Sequence, residues 1–156
     1  MNSENEKFMK KALKEAQKAY NKYEVPIGAI IVKDGKVISR AYNKREEKNM
    51  ATAHCELLAI EKACKKLGSW RLNDCDLYVT MEPCPMCAGA ILNARIRKLY
   101  FGAVDEKSGA VISNLHELDL DKTFCNHKVL YEGGVLEQEC QQMIKRFFRE
   151  LRKRNE

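Results

Sequence analysis

Between Glu6 and about Tyr20 the apolar positions Met9, Leu13, Ala16 and Tyr20 recur at the spacing of one helical stripe, which predicts an amphipathic helix. The pattern then shifts to period two. Ile27 to Lys33 is apolar and β-branched, Asp34-Gly35 is a favoured hairpin turn, and Lys36 to Asn43 alternates back, so two antiparallel strands are expected. Leu57, Ile60, Cys64 and Leu67 predict a second helix from about Thr52 to Leu67, with Gly68 as its C-cap. Leu77 to Thr80 reads as a short strand, "CAGAILNA" as a third helix, and Lys98 to Ala103 as another strand. After a polar loop, His127 to Glu132 forms a last strand, Gly133-Gly134 a break, and Val135 to Lys153 a long final helix. Strands alternating with helices argue for parallel pairings, so the whole predicts an α/β architecture: a mixed sheet of about five strands between helical layers.

Composition narrows the setting. A chain of 156 residues without repeats, low-complexity tracts or a Gly/Ser/Pro-rich linker suits a single domain, 1–156. No apolar run approaches the roughly 18 residues that span a bilayer, and "MNSENEKFMKKALKEA" lacks the uninterrupted apolar segment of a secretory leader, so a cytoplasmic protein with no membrane partner is expected. In a reducing compartment the seven cysteines, an odd number, point to metal binding, catalysis or burial. Lys and Arg outnumber Asp and Glu by 28 to 22, and the excess is local. Six basic residues between Lys145 and Arg154 accompany the single acid Glu150, a patch on the final helix that suits a polyanion.

The candidate chemistry lies in "TAHCELLAI" and "MEPCPMCAGA". Cys84 and Cys87, three apart, share a helical face, and Pro85 suits a first turn where its missing N–H costs nothing. The positive end of the helix dipole lowers thiol pKa values and supplies thiolates, so the pair is suited to a metal; a redox C-x-x-C is the competing reading. Taken singly, His54 is a core histidine and Glu56 a solvated helix residue. Together with the cysteine pair they offer three ligands, His54, Cys84 and Cys87, which would leave a zinc ion one open position for water, and a carboxylate, Glu56, to move protons. Cys55 is rotated about 100° from both neighbours, and as a fourth ligand it would close that position, so it reads as a small buried filler.

H-x-E followed by P-C-x-x-C is the signature of zinc-dependent nucleobase deaminases. In order, "EVPIGAII", "AYNKREE", "TAHCELLAIEKA", "LGSWRL", "LYVTMEPCPMCAGAI", "TFCNHKVLYEGG" and "FFRELRKR" resemble the bacterial tRNA-specific adenosine deaminases, over about Phe8 to Arg154. The resemblance implies a homodimer of three-layer α/β/α, cytidine-deaminase-like subunits, each with one Zn²⁺, that converts the wobble adenosine of a tRNA anticodon to inosine. It implies that His54, Cys84 and Cys87 hold the zinc and that Glu56 shuttles protons between a zinc-activated water and the adenine. Asn43 would hydrogen-bond the flipped base or its ribose, unless it only ends its strand. Val25, Pro26 and Ile27 would form an apolar wall, or simply pack an edge strand. Asp105, Lys107 and Ser108 would touch flanking nucleotides of the anticodon arm, or form a solvated loop. On the final helix Arg149, Arg152 and Lys153 would meet phosphates, and Phe148 a base, while one of the adjacent Phe147 and Phe148 belongs to the core.

The chain departs from the family at Met50-Ala51, where Asp-Pro is common, and at "AVISN" after the acidic loop, where small Gly-rich residues are common. The second departure bears on the fit of the anticodon arm. Two other functions remain open. One is a deaminase of the same fold acting on a free base, nucleoside or nucleotide of guanine or cytosine type; the other is a non-enzymatic RNA-binding module with structural zinc.

Overall fold

The computed structural model describes residues 3–155 except 121, 122 and 124, so Phe124 of the "TFCNHKVLYEGG" stretch lies outside the described residues. Five strands form one sheet in the order β2-β1-β3-β4-β5: β1 is Gly28–Lys33, β2 Lys36–Tyr42, β3 Cys75–Met81, β4 Lys98–Ala103 and β5 Leu130–Glu132. β1 pairs antiparallel with β2 and β3, whereas β3–β4 and β4–β5 are parallel, so the sheet is mixed. The Asp34-Gly35 turn between β1 and β2 has positive φ at both residues, 51° and 74°, the backbone a two-residue hairpin of matching twist requires.

Period-two alternation sorts β1 between two cores. Ala29 and Ile31 face the helices α3 (Cys55–Leu67) and α4 (Pro85–Asn93), meeting Ala59, Ile60, Ala63 and Ile91. Ile30 and Val32 face the other way, onto Phe8, Met9 and Ala12 of α1 (Ser3–Asn21) and a cluster completed by Cys140 of α5 (Glu137–Arg154). Helices thus cover both faces, as expected of an α/β/α sandwich. Burying side chains such as Ile31, Leu77 and Phe101, each fully enclosed, stabilises the fold by roughly 1.5–3 kcal/mol apiece.

Several boundaries differ from the sequence expectations. α3 starts at Cys55, not Thr52, because Ala53 lies in a tight turn, the His54 amide donating to the Thr52 carbonyl at 2.8 Å, and His54 is still extended; Gly68 caps the helix as expected. A four-residue helix α2 (Arg45–Lys48) follows β2 unannounced, since "REEK" has no apolar periodicity; its first amides are held instead by the buried Glu24, whose carboxylate accepts from Glu46 at 3.1 Å and Glu47 at 2.6 Å. β5 is limited to Leu130–Glu132, and His127 instead binds the Ile96 carbonyl through Nε2 at 2.8 Å. No helix of the described residues is long and apolar enough to cross a membrane.

Candidate active site

Two helices begin at one point. His54 is the N-cap of α3 and Cys84 the N-cap of α4; both are extended, and neither side chain caps its own helix, which frees imidazole and thiol to turn toward each other. Pro85 occupies the first turn of α4, and Cys87, one turn above Cys84, is fully buried beneath it. His54 Nδ1 stands 3.6 Å from Cys84 Sγ and 3.5 Å from Cys87 Sγ. A tetrahedral zinc with ordinary bond lengths needs N and S ligands about 3.6 Å apart, so the triangle has the dimensions and the donor set of a zinc site. Among the described residues these three are the group of His, Cys and carboxylate atoms close enough to share an ion, all within 4.8 Å of one another.

The electrostatics agree with that donor set. The Cys84 thiol is lowered to about 4, chiefly because the Cys87 thiol donates to its sulfur, against the cost of burial and with further help from His54 and the Cys87 amide. The contact with the Cys84 sulfur raises His54. Cys87, as the donor in that pair and buried, is pushed up. The arrangement favours the thiolate at Cys84, the form that binds a metal.

Glu56 lies in the first turn of α3, two residues after His54 and outside the triangle. It is 5 % exposed, and burial pushes its carboxyl up from the ordinary range. The thiol of Cys55 donates to Glu56 Oε1 at 3.2 Å, so Cys55 is buried as expected but also touches the carboxylate. It is absent from the metal triangle.

A cleft of about 470 Å³ opens over these groups and takes in His54, Glu56 and Cys84. Val25, Ile27, Asn43, Asp105, Lys107 and Ser108 line it, as the sequence suggested. Asn43 is buried, its Nδ2 donating to the Val25 carbonyl and its Oδ1 accepting from the Arg45 amide, both at 3.2 Å. Each end of the amide keeps one further hydrogen-bonding position for a ligand. Pro26 is buried and does not line the cleft. Arg149, Arg152 and Lys153 are exposed on α5 outside it. Phe148 does reach the cleft, 39 % exposed, while Phe147 is the core member of the pair, edge-on to Tyr20 at 5.6 Å.

Arg45, Met81, Glu82 and Ile144 also line the cleft and were not singled out from the sequence. For Ile144 a signal existed: it lies four residues after Cys140 and four before Phe148, on a stripe of α5 that runs from the buried side to the cleft. Glu82 is 3 % exposed; burial alone would push its carboxyl up, yet the Ser113 hydroxyl and the amides of Ile112, Ser113 and Asp105 hold it below the ordinary range.

This geometry has relatives. Residues 3–152 match the MafB19-like deaminase family. The tRNA-specific adenosine deaminase of Bacillus subtilis (strain 168) is 51 % identical over 97 % of this chain and 93 % of its own length. A solved structure from studies of A-to-I editing by tRNA:A34 deaminases at the wobble position of transfer RNA is 48 % identical, with a TM-score of 0.83 over 87 % of this chain and 97 % of that one. Guanine deaminase from Bacillus subtilis superposes with a TM-score of 0.61 and 45 % identity, over 67 % of this chain and 66 % of its own. With a deaminase-family match along nearly its whole length and half its residues shared with one such enzyme, the chain belongs to the MafB19-like deaminases and, among them, to the tRNA-specific adenosine deaminases.

Proposed function

We propose that this chain is a single zinc-dependent deaminase domain that converts the wobble adenosine of a tRNA anticodon to inosine, with release of ammonia. The observation that carries the reading is the His54–Cys84–Cys87 triangle beside a buried carboxylate that is not part of it, with His54, Cys84 and Glu56 all facing the cleft. In that triangle zinc would supply a water acidified to near neutrality. Glu56 takes one proton from the attacking water and passes it to N1 of the adenine, then carries the remaining proton of the new C6 hydroxyl to the amine, which leaves as ammonia as the C6 carbonyl of inosine forms. Asn43 holds the base or its ribose with its remaining donor and acceptor, and Val25 and Ile27 give the base an apolar wall. Asp105, Lys107 and Ser108 meet the nucleotides beside it, and Phe148 offers a stacking surface.

The homodimer and the cytoplasmic setting are part of the same proposal and rest on family membership. Met50, Met86, Ile112 and Leu115, all exposed, supply apolar surface for a subunit contact. The deciding experiment incubates the purified protein with total tRNA and maps adenosine-to-inosine changes by sequencing, with ammonia release from guanine and cytidine measured alongside. Inosine at anticodon wobble positions is expected. Activity confined to free bases would favour the reading suggested by the guanine deaminase likeness.

Two variants test parts of the site. Cys55→Ala is expected to keep its metal and to hold turnover within about threefold of wild type, because a thiol is a weak donor and Glu56 needs it little. Loss of metal, measured by elemental analysis, would instead make Cys55 a ligand. On α5, the exposed Arg149 and Arg152 follow Phe148, which reaches the cleft, and in this reading they meet phosphates of the same RNA. The double change Arg149→Ala with Arg152→Ala is expected to raise KM for tRNA and reduce the slope of log affinity against log salt by about 1.4 to 1.8, two contacts' worth of released counterions. An unchanged slope would put the RNA backbone elsewhere.

A further inference from the structure

Beside the cleft one carboxylate is wholly consumed by a loop. Glu82 follows the last residue of β3 and precedes Pro83-Cys84. Its Oε2 accepts the amides of Val111 at 3.0 Å, Ile112 at 2.8 Å and Ser113 at 3.0 Å. Its Oε1 accepts the Asp105 amide at 3.0 Å and the Ser113 hydroxyl. Two carboxylate oxygens have about four acceptor positions, so five donors leave none for a substrate. Gly109 closes the arrangement, because a Cβ there would stand 2.4 Å from the carboxyl carbon of Glu82.

The loop that Glu82 grips is the one that lines the cleft with Asp105, Lys107 and Ser108. Within it, Asp105 Oδ1 accepts the amides of Lys107 and Ser108, each at 3.1 Å, and Asn114 Nδ2 donates to the Glu106 carbonyl at 3.0 Å. The Ala110 amide reaches the Pro83 carbonyl at 2.9 Å, tying the loop to the segment that carries Cys84. The departure at "AVISN" is compatible with this grip: Val111 and Ile112 meet Glu82 through their amides, which any residue but proline offers, and only Ser113 adds a side chain to the carboxylate.

We propose that Glu82 is a positioning residue whose buried carboxylate fixes the 105–113 loop in the shape that contacts the nucleotides beside the reacting base. This rests on the tRNA reading of the cleft. Glu82 touches neither the base nor the metal ligands' donor atoms; it acts through Asp105, Lys107 and Ser108, so its removal weakens binding of the RNA more than it slows the chemical step.

The test compares wild type with Glu82→Gln, Ser113→Ala and Gly109→Ala in metal content, in steady-state kinetics on an anticodon stem-loop, and in amide hydrogen exchange across residues 105–113. Glu82→Gln keeps the shape but points an amide group at N–H donors, so KM should rise about tenfold or more while kcat stays within about threefold and metal content is unchanged. Ser113→Ala should give a smaller rise of the same kind, and both should speed exchange at Val111 to Ser113. Gly109→Ala, which pushes the loop off the carboxylate, should resemble Glu82→Gln and serves in its place if that variant does not fold. Unchanged KM and unchanged exchange in these variants would overturn the proposal, as would a lower kcat with lost metal and an unaltered KM. A wild-type protein that makes no inosine would overturn the tRNA reading instead, while the exchange measurement would still decide whether Glu82 holds the loop.

Discussion

Glu56→Ala is expected to retain its metal and to lose turnover by about 10²–10⁴-fold, the range that a positioned general acid and base contributes. The two halves of this result come from separate features of the site. Metal retention follows from the place of Glu56 outside the His54–Cys84–Cys87 triangle, whose three atoms lie together without it. Loss of turnover follows from burial: at 5 % exposure the carboxyl is shielded from bulk water, which cannot easily replace it as a proton carrier. A variant that still made inosine at the wild-type rate would remove Glu56 from the acid–base role. A protein with full metal and no activity to lose, in wild type as in variant, would point to an RNA-binding module with structural zinc. Glu56→Gln sharpens the comparison, because it keeps the volume of the side chain and removes only the ability to take up and release a proton.

The features of this site that were legible in the sequence are those carried by side-chain identity at short spacing. Cys84 and Cys87 with Pro85 between them announce a helix start with two thiols on one face, and α4 begins there. His54 and Glu56, two residues apart, cannot share a face of regular helix. The structure resolves this by leaving His54 as an extended N-cap and placing Glu56 within the first turn. The main elements were legible for a similar reason, since β1 and α1 bury what their periods of two and three to four set aside. Glu82 was not legible in the same way. Its partners are mainly backbone amides 23 to 31 residues further on, and an amide leaves no mark on the residue type that bears it. The same holds for Glu24, which starts α2 through amides more than 20 positions away. The division of roles between Phe147 and Phe148 depends on which side of α5 meets the sheet, and that is fixed by Cys140 packing with Ala103 of β4, a contact between distant parts of the chain.

Cys84→Ala is expected to lose metal and activity together, metal content falling from about one ion per chain to near zero, because His54 and Cys87 alone are too few ligands for zinc. The fold should survive the change. Cys84 is the N-cap of α4, but its sulfur makes no full capping hydrogen bond and, as a weak acceptor, gives the Cys87 amide only slight support, so its removal costs the helix little. What disappears is the thiol of the pair that is shifted down, chiefly by its contact with Cys87, and that stands 3.6 Å from His54 Nδ1. Cys87 cannot take over: the Cys84 contact that raises its thiol most would be gone, but it remains fully buried, which still disfavours its thiolate. Elemental analysis, inosine formation on tRNA and circular dichroism on one preparation separate the outcomes. Folded protein without metal or activity is the expected result, and wild type stripped with a chelator should behave alike and recover when zinc is restored. A Cys84→Ala protein that kept a full complement of metal would show that the ion sits elsewhere. If it lost activity only under oxidising or reducing challenge, with metal content irrelevant throughout, the pair would be a redox C-x-x-C and not a metal site.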